Sequence, residues 1–297
     1  MNSRRTTGAV ELVLDAKATL GESPLWHARR RKLYWVDILG QQLHEWDPTT
    51  GRDRCFAVGQ FIGCVVPRKK GGLLLALHHG LARFDFRTKQ PVILCDPDRR
   101  RSGNRFNDGK CDPAGRFWAG TMSATEKPNQ GSLFCLDPDL SVRRAVSRVS
   151  ISNGLAWSRE ADTMYFIDSA EQVVWAFDYD LATARIRNRR TVIRIPKRDG
   201  VPDGMTRDAE GMLWVAHWGG SQVTRWDPRR GRLLQTLRLP VSLVTSCAFG
   251  GARLDELFIT SARVSLSPSQ LERQPLAGGL FRVQPGVQGV APDEFAG

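Results

Sequence analysis

Leu33-Tyr34-Trp35-Val36-Asp37 is a short apolar, aromatic run, and five stretches of the same kind follow it along the chain. They are Leu73-Leu74-Leu75-Ala76, Arg116-Phe117-Trp118-Ala119, Met164-Tyr165-Phe166-Ile167, Met212-Leu213-Trp214-Val215 and Glu256-Leu257-Phe258-Ile259. Between the markers Trp35, Leu75, Trp118, Phe166, Trp214 and Phe258 the intervals are 40, 43, 48, 48 and 44 residues. A period in the forties made of short strands and turns marks the blades of a β-propeller. The fold class is therefore all-β, a six-bladed propeller of four-stranded antiparallel blades. Such a repeat makes neighbours, around one axis, of residues far apart in sequence.

The first copy sets out the unit. Ser23–Trp26 reads as the inner strand, Leu33–Ile38 as the second, Leu43–Trp46 as the third and Cys55–Val58 as the fourth. Asp47-Pro48-Thr49-Thr50-Gly51 joins the last two, with an Asp to cap, a Pro to fix φ and a Gly to permit the turn. The same turn returns at Asp227-Pro228-Arg229-Arg230-Gly231, and more loosely at Asp85, Asp137 and Asp178. Val10–Leu14 is expected to complete the last blade and close the ring, which removes an exposed sheet edge.

Composition is consistent with one domain over residues 1–297, with residues 1–9 expected as a flexible tail. No apolar run reaches membrane-spanning length, and no hydrophobic signal core follows Met1. Six cysteines are scattered without a C-x-x-C pair, so reduced thiols and a cytoplasmic location are expected. The net charge of +12 comes with arginine runs at 29–31, 99–101, 189–190 and 229–230. They fall in turns of different blades and accompany no nucleic-acid motif, so neither a nucleic-acid nor a membrane partner is expected, and no protein partner is inferred.

Polar segments recur at one phase of the repeat. Glu22 lies 13 residues before Trp35, Asn107 lies 11 before Trp118, Asn153 lies 13 before Phe166 and Asp203 lies 11 before Trp214. In copies two and six the equivalent stretches are Phe61-Ile62-Gly63-Cys64 and Thr245-Ser246-Cys247. These positions begin the inner strands, which line the channel, so the four side chains should converge at one mouth. Each sits beside Gly or Pro, which would let the backbone turn sharply while aiming the side chain inward. One Glu, one Asp and the Asn residues make an all-oxygen ligand set suited to a hard divalent cation. Two insertions after a second strand, Thr121–Gly131 and Ser261–Gly279, should hang over the same mouth, with Asp168, His217 and Trp218 near its rim. Neither G-x-S-x-G nor H-E-x-x-H is present, which argues against a serine hydrolase or a zincin.

The chain also resembles the SMP-30/gluconolactonase/luciferin-regenerating-enzyme family, from about Leu20 to Gly289. The resemblance is carried by Gly21-Glu22-Ser23-Pro24-Leu25-Trp26, by Asn104-Arg105-Phe106-Asn107-Asp108-Gly109-Lys110 with Asp112-Pro113-Ala114-Gly115-Arg116, and by Gly120-Thr121-Met122. Ser152-Asn153-Gly154-Leu155-Ala156-Trp157-Ser158, Pro202-Asp203-Gly204-Met205 and Thr245-Ser246-Cys247-Ala248-Phe249-Gly250-Gly251 extend it. It implies one divalent cation, Ca²⁺ first with Zn²⁺, Mn²⁺ or Mg²⁺ as alternatives, held by Glu22, Asn153 and Asp203. It implies hydrolysis of a gluconolactone-like sugar lactone, with Arg105 and Asn107 on the substrate; Asp203 is the expected catalytic base. A related metal-dependent esterase or phosphotriesterase and a non-catalytic Ca²⁺-binding regulator are the alternatives. Where animal relatives carry an acidic pair after Gly-Thr-Met, this chain has Ser123-Ala124-Thr125, so a less acidic pocket wall is expected there.

Overall fold

A computed structural model describes residues 8–297 as six four-stranded antiparallel sheets. Blade one, for example, runs outward through Gly21–His27, Lys32–Asp37, Gln42–Trp46 and Asp53–Ala57. Blade six is built from Val244–Gly250, Glu256–Ser261 and Leu280–Val283, and Glu11–Leu14 supplies its outermost strand. The ring is thus closed by a strand from the opposite end of the chain, as the sequence predicts, with Glu11 opposite Arg282. Most of the expected tail, residues 1–7, lies outside the described residues, and Gly8 N donates to Gln284 O at 2.9 Å.

The six markers sit on the second strands and are at most 1% exposed, because each second strand is flanked within its own sheet and covered by the neighbouring blades. Fourth strands such as Asp53–Ala57 carry polar outward faces, which explains their weaker apolar signal. The Asp turns form as expected: Asp47 Oδ1 accepts from Thr49 N at 3.0 Å, and Asp227 Oδ1 from Arg229 N at 2.9 Å.

Copies three and five share a second device. The Asp112 carboxylate, fully buried, accepts from Trp118 Nε1 at 3.1 Å, Arg116 N at 2.9 Å and Tyr179 Oη at 2.5 Å. Asp208 repeats it, accepting from Trp214 Nε1 at 3.0 Å, Met212 N at 2.9 Å and Arg225 Nε at 2.7 Å. In both copies the Asp stands six residues before the marker Trp. Copy one has Arg29 at that place, and Trp35 Nε1 is buried without a hydrogen-bond partner among the described residues.

The inner strands meet closely along the axis, and each carries a register shift near its start, between Glu22 and Leu25, Ile62 and Cys64, Phe106 and Gly109, Ser152 and Leu155, Pro202 and Met205, and Val244 and Ser246. The glycines beside the site serve this crowding rather than the sharp turns expected from the sequence. A Cβ on Gly154 would stand 2.9 Å from Asp203 O and closer still to Met205, and one on Gly63 would strike the carbonyl oxygen of Asn107. Neither glycine has a positive φ.

Candidate functional site: an acidic pocket at the channel mouth

Glu22, Arg105, Asn107, Asn153 and Asp203 line one cavity of about 250 Å³. Every residue singled out from the sequence as ligand or substrate contact is therefore in the same place, delivered by the inner strands of blades one, three, four and five. Blade two contributes no side chain to the cavity, since its position is Gly63. Arg105 and Asn107 are two residues apart on one strand and share its inner face.

A hydrogen-bond arc fixes their orientation. Arg105 Nη1 donates to Asn107 Oδ1 at 2.6 Å, and Asn107 Nδ2 donates to Asn153 Oδ1 at 3.0 Å and to Ser152 O at 2.8 Å. Asn153 Nδ2 donates to Ser169 Oγ at 2.8 Å, and Ser169 Oγ donates to Pro202 O at 2.6 Å. The arc crosses three blades and ends on the residue before Asp203. It holds the Asn153 amide with its oxygen on the Asn107 side.

The carboxylates sit in the opposite electrostatic condition. Burial, then the charge of Asp108, pushes Glu22 up to about 8, against a Ser23 N–H that donates to Glu22 Oε2 at 2.7 Å. Burial also holds Asp203 well above the ordinary Asp range, and Glu22 and Asp108 push it the same way. No hydrogen bond or ion pair reaches the Asp203 side chain among the described residues. Burial lowers the Arg105 guanidinium, and Glu22, Glu126 and Asp203 draw it back up.

Two buried carboxylates that repel one another, beside an amide oxygen already aimed by its neighbours, are a donor set awaiting positive charge. Their all-oxygen chemistry fits a hard cation such as Ca²⁺, Mg²⁺ or Mn²⁺. Glu22, Asp203 and Asn153 would hold it, with Arg105 and Asn107 beside it for a second occupant of the cavity.

Several lining residues lie outside the sequence reading. Glu126 comes from the loop after Phe117–Ser123, within the insertion expected over the mouth, and faces Arg105 electrostatically, so this wall carries one acid just beyond the non-acidic Ser123-Ala124-Thr125. Ser169 enters from a 3-10 turn that follows Asp168. Trp218 lines the cavity. His217 does not; its Nε2 pairs with Thr224 Oγ1 at 2.6 Å and its Nδ1 with Asp199 O at 2.8 Å. Asp168 caps backbone, accepting from Ser150 N at 2.9 Å and Ile151 N at 3.0 Å. The insertion of copy six does not line the cavity among the described residues. Its helix, Pro268–Arg273, is followed by Pro275, whose carbonyl oxygen accepts from Lys17 Nζ at 2.7 Å, and Leu266, Leu271 and Leu276 pack on the core of blade six.

Fold and pocket together define a class: six-bladed propellers with an acidic, amide-lined site at one end of the axis. Residues 20–263 match the family model described as SMP-30/Gluconolactonase/LRE-like region, and the chain belongs to that family. It is 43% identical over 294 residues to regucalcin from Xenopus laevis, covering 97% of this chain and 98% of the relative. Among solved structures it resembles a calcium-binding protein, regucalcin, from Agrobacterium tumefaciens, with TM-score 0.93 and 27% identity over 97% of each chain. It also resembles a luciferin-regenerating enzyme, with TM-score 0.91 and 33% identity over 97% of this chain and 99% of the other. No helix among the described residues is long and apolar enough to cross a membrane.

Proposed function

We propose that the chain is a divalent-metal-dependent lactonase acting on a gluconolactone-like sugar lactone and releasing the aldonic acid. The observation that carries this reading is the joining of two different tasks in one cavity. Glu22, Asn153 and Asp203 form a cation cradle, and Arg105 and Asn107 present directional donors beside it. A non-catalytic cation site needs only the first. The naming of the family after gluconolactonase supports the same reaction class.

A bound divalent cation would act as a Lewis acid toward the lactone carbonyl, whose carbon a water then attacks. Asp203, buried and with no side-chain hydrogen bond among the described residues, is the base that takes the proton of that water. Arg105 and Asn107 donate to the ring oxygens and hydroxyls of the sugar and fix its orientation. Glu126 faces the same guanidinium and accepts from substrate hydroxyls. Trp218 and Met122 supply apolar wall and limit water around the reacting carbonyl.

The test is proton release from a panel of glucono-, galactono-, arabinono- and xylonolactones, on chelated protein restored in turn with Ca²⁺, Mg²⁺, Mn²⁺ or Zn²⁺. Metal-dependent turnover is expected. Absence of turnover with every metal, with a cation demonstrably bound, replaces this reading with a regulatory cation-binding propeller.

A further inference from the structure

The outer edge of blade one carries a second constellation, built from strands that contribute nothing to the axial cavity. His44 lies on Gln42–Trp46, and Asp53 and Cys55 lie on the neighbouring outermost strand, Asp53–Ala57. His44 and Cys55 are paired directly across the two strands, and Asp53 stands two residues from Cys55 on the same face. Three potential ligand atoms converge as a result. His44 Nδ1 is 2.6 Å from Asp53 Oδ2 and 3.2 Å from Cys55 Sγ, and Cys55 Sγ is 3.3 Å from Asp53 Oδ2.

We propose that His44, Asp53 and Cys55 form a second metal site, selective for a thiophilic divalent ion such as Zn²⁺, which clamps the two outer strands of blade one. Imidazole, carboxylate and thiolate are a usual mixed ligand set for zinc. With bonds of about 2.1 Å, tetrahedral geometry separates neighbouring ligand atoms by about 3.4 Å. Two edges of the triangle are already near that value, and only the His44–Asp53 edge must open. The His44 ring is held in place by stacking on Trp35, with centroids 3.8 Å apart and planes inclined by 18°. Cys55 is exposed, so an ion can enter from solvent and keep water at its fourth position.

One orphan atom points the same way: Asp53 Oδ1 is buried without a hydrogen-bond partner among the described residues. Buried polar atoms left unpaired call for an ion or other partner. Asp53 Oδ1 can complete a bidentate carboxylate once the carboxylate turns to the metal. Coordination through Nδ1 requires the neutral ring to carry its proton on Nε2, and the Cys55 thiol proton passes to solvent as the thiolate binds.

The same residue types could suggest a cysteine nucleophile with a His and an Asp behind it. The geometry rejects that arrangement. A triad uses the two ring nitrogens for different partners, whereas here thiol and carboxylate both meet Nδ1.

The test is a Co²⁺ titration of the chelated full-length protein, read by thiolate-to-cobalt charge-transfer absorption. The proposed axial ligands are all oxygen, so the band cannot come from that pocket, and Cys55→Ser separates the blade-one site from the other five thiols. One equivalent of band-forming Co²⁺ is expected in the native protein and equally in Asp203→Asn. Zn²⁺ should displace it and Ca²⁺ should not. Cys55→Ser should abolish the band and the Zn²⁺-induced rise in Tm. Asp53→Ala, which leaves every thiol in place, should weaken Co²⁺ binding at least about tenfold. No charge-transfer band in the native protein, a band that survives Cys55→Ser, or unchanged affinity in Asp53→Ala each overturns the proposal.

Discussion

Asn107 Nδ2 donates to Asn153 Oδ1 at 3.0 Å, so a residue proposed for the substrate holds a residue proposed for the cation. The two side chains are mechanically linked across blades three and four. Asn107→Ala removes that donor, releases Arg105 Nη1 from its 2.6 Å partner and leaves the Asn153 amide held through Nδ2 alone, by Ser169 Oγ. The expected result is a loss of about a hundredfold or more in kcat/KM, the scale of removing one preorganised donor, together with weaker cation binding. Steady-state kinetics and calorimetric Ca²⁺ titration on the same variant check it. Weakened turnover with unaltered cation affinity would break the link.

Asp203 separates stability from function in a way a structural aspartate would not. Burial and the neighbouring Glu22 and Asp108 charges raise it, so in the metal-free protein it is an electrostatic burden. Asp203→Asn keeps the shape and removes the charge. Turnover should fall to background, and the Tm of the chelated protein should rise. Asp203→Ala should also abolish turnover and leave the far-ultraviolet circular dichroism spectrum unchanged. Full activity in either variant removes Asp203 from the mechanism.

How much of this was legible beforehand depends on whether the signal lay in phase or in register. Trp35, Trp118, Phe166, Trp214 and Phe258 repeat because each second strand needs a large buried side chain, and the period alone gives six blades. Glu22, Asn107, Asn153 and Asp203 repeat in phase with those markers, and their meeting follows from the ring. That the Thr121–Gly131 insertion overhangs the mouth was legible, but that Glu126 is the residue it presents was not, since the loop follows no repeat and has a positive φ of 56° there. Ser169 depends on a single 3-10 turn. The His44, Asp53 and Cys55 group depends on the pairing of His44 with Cys55, a strand register that residue spacing does not reveal. The glycines were visible, but their reason was not. Turn chemistry reads from a dipeptide, whereas close approach of a neighbouring blade does not.

Protons and a cation should each stabilise the fold and compete for the same carboxylates. Glu22 in the folded, metal-free protein keeps its proton up to about pH 8, and in the unfolded chain loses it near 4.5. Between those values the folded state binds more protons, so stability falls as pH rises through the window. The raised Asp203 acts in the same direction. A cation takes the place of the protons and binds more tightly as they become easier to remove. The difference in Tm between Ca²⁺-loaded and chelated protein should therefore widen from pH 5 to pH 8. Scanning calorimetry at fixed free Ca²⁺ measures it. A difference independent of pH would mean that the carboxylates are already ionised without the metal.

Asp112 and Asp208 are expected to be the costliest single losses in the fold. Each is fully buried and gathers a Trp Nε1, a backbone N–H of its own hairpin and an arginine. Asp208→Ala would leave Trp214 Nε1 and the half-buried Arg225 without their shared acceptor, and Arg225 would keep only Glu210, to which Nη2 donates at 2.7 Å. Removing one member of a buried charged network costs about 3–5 kcal/mol. Asp208→Asn retains one acceptor oxygen and should cost less. Copy one supplies an internal comparison, since it has Arg29 at the matching position and leaves Trp35 Nε1 without a partner. The device is thus not a requirement of every blade of the propeller, and in copy three it also ties blade three to blade four through Tyr179. Denaturant unfolding should show Asp208→Ala strongly destabilised, with cation affinity preserved in the fraction that remains folded. A loss below about 1 kcal/mol, the scale of one neutral hydrogen bond, would show that the blade holds without it.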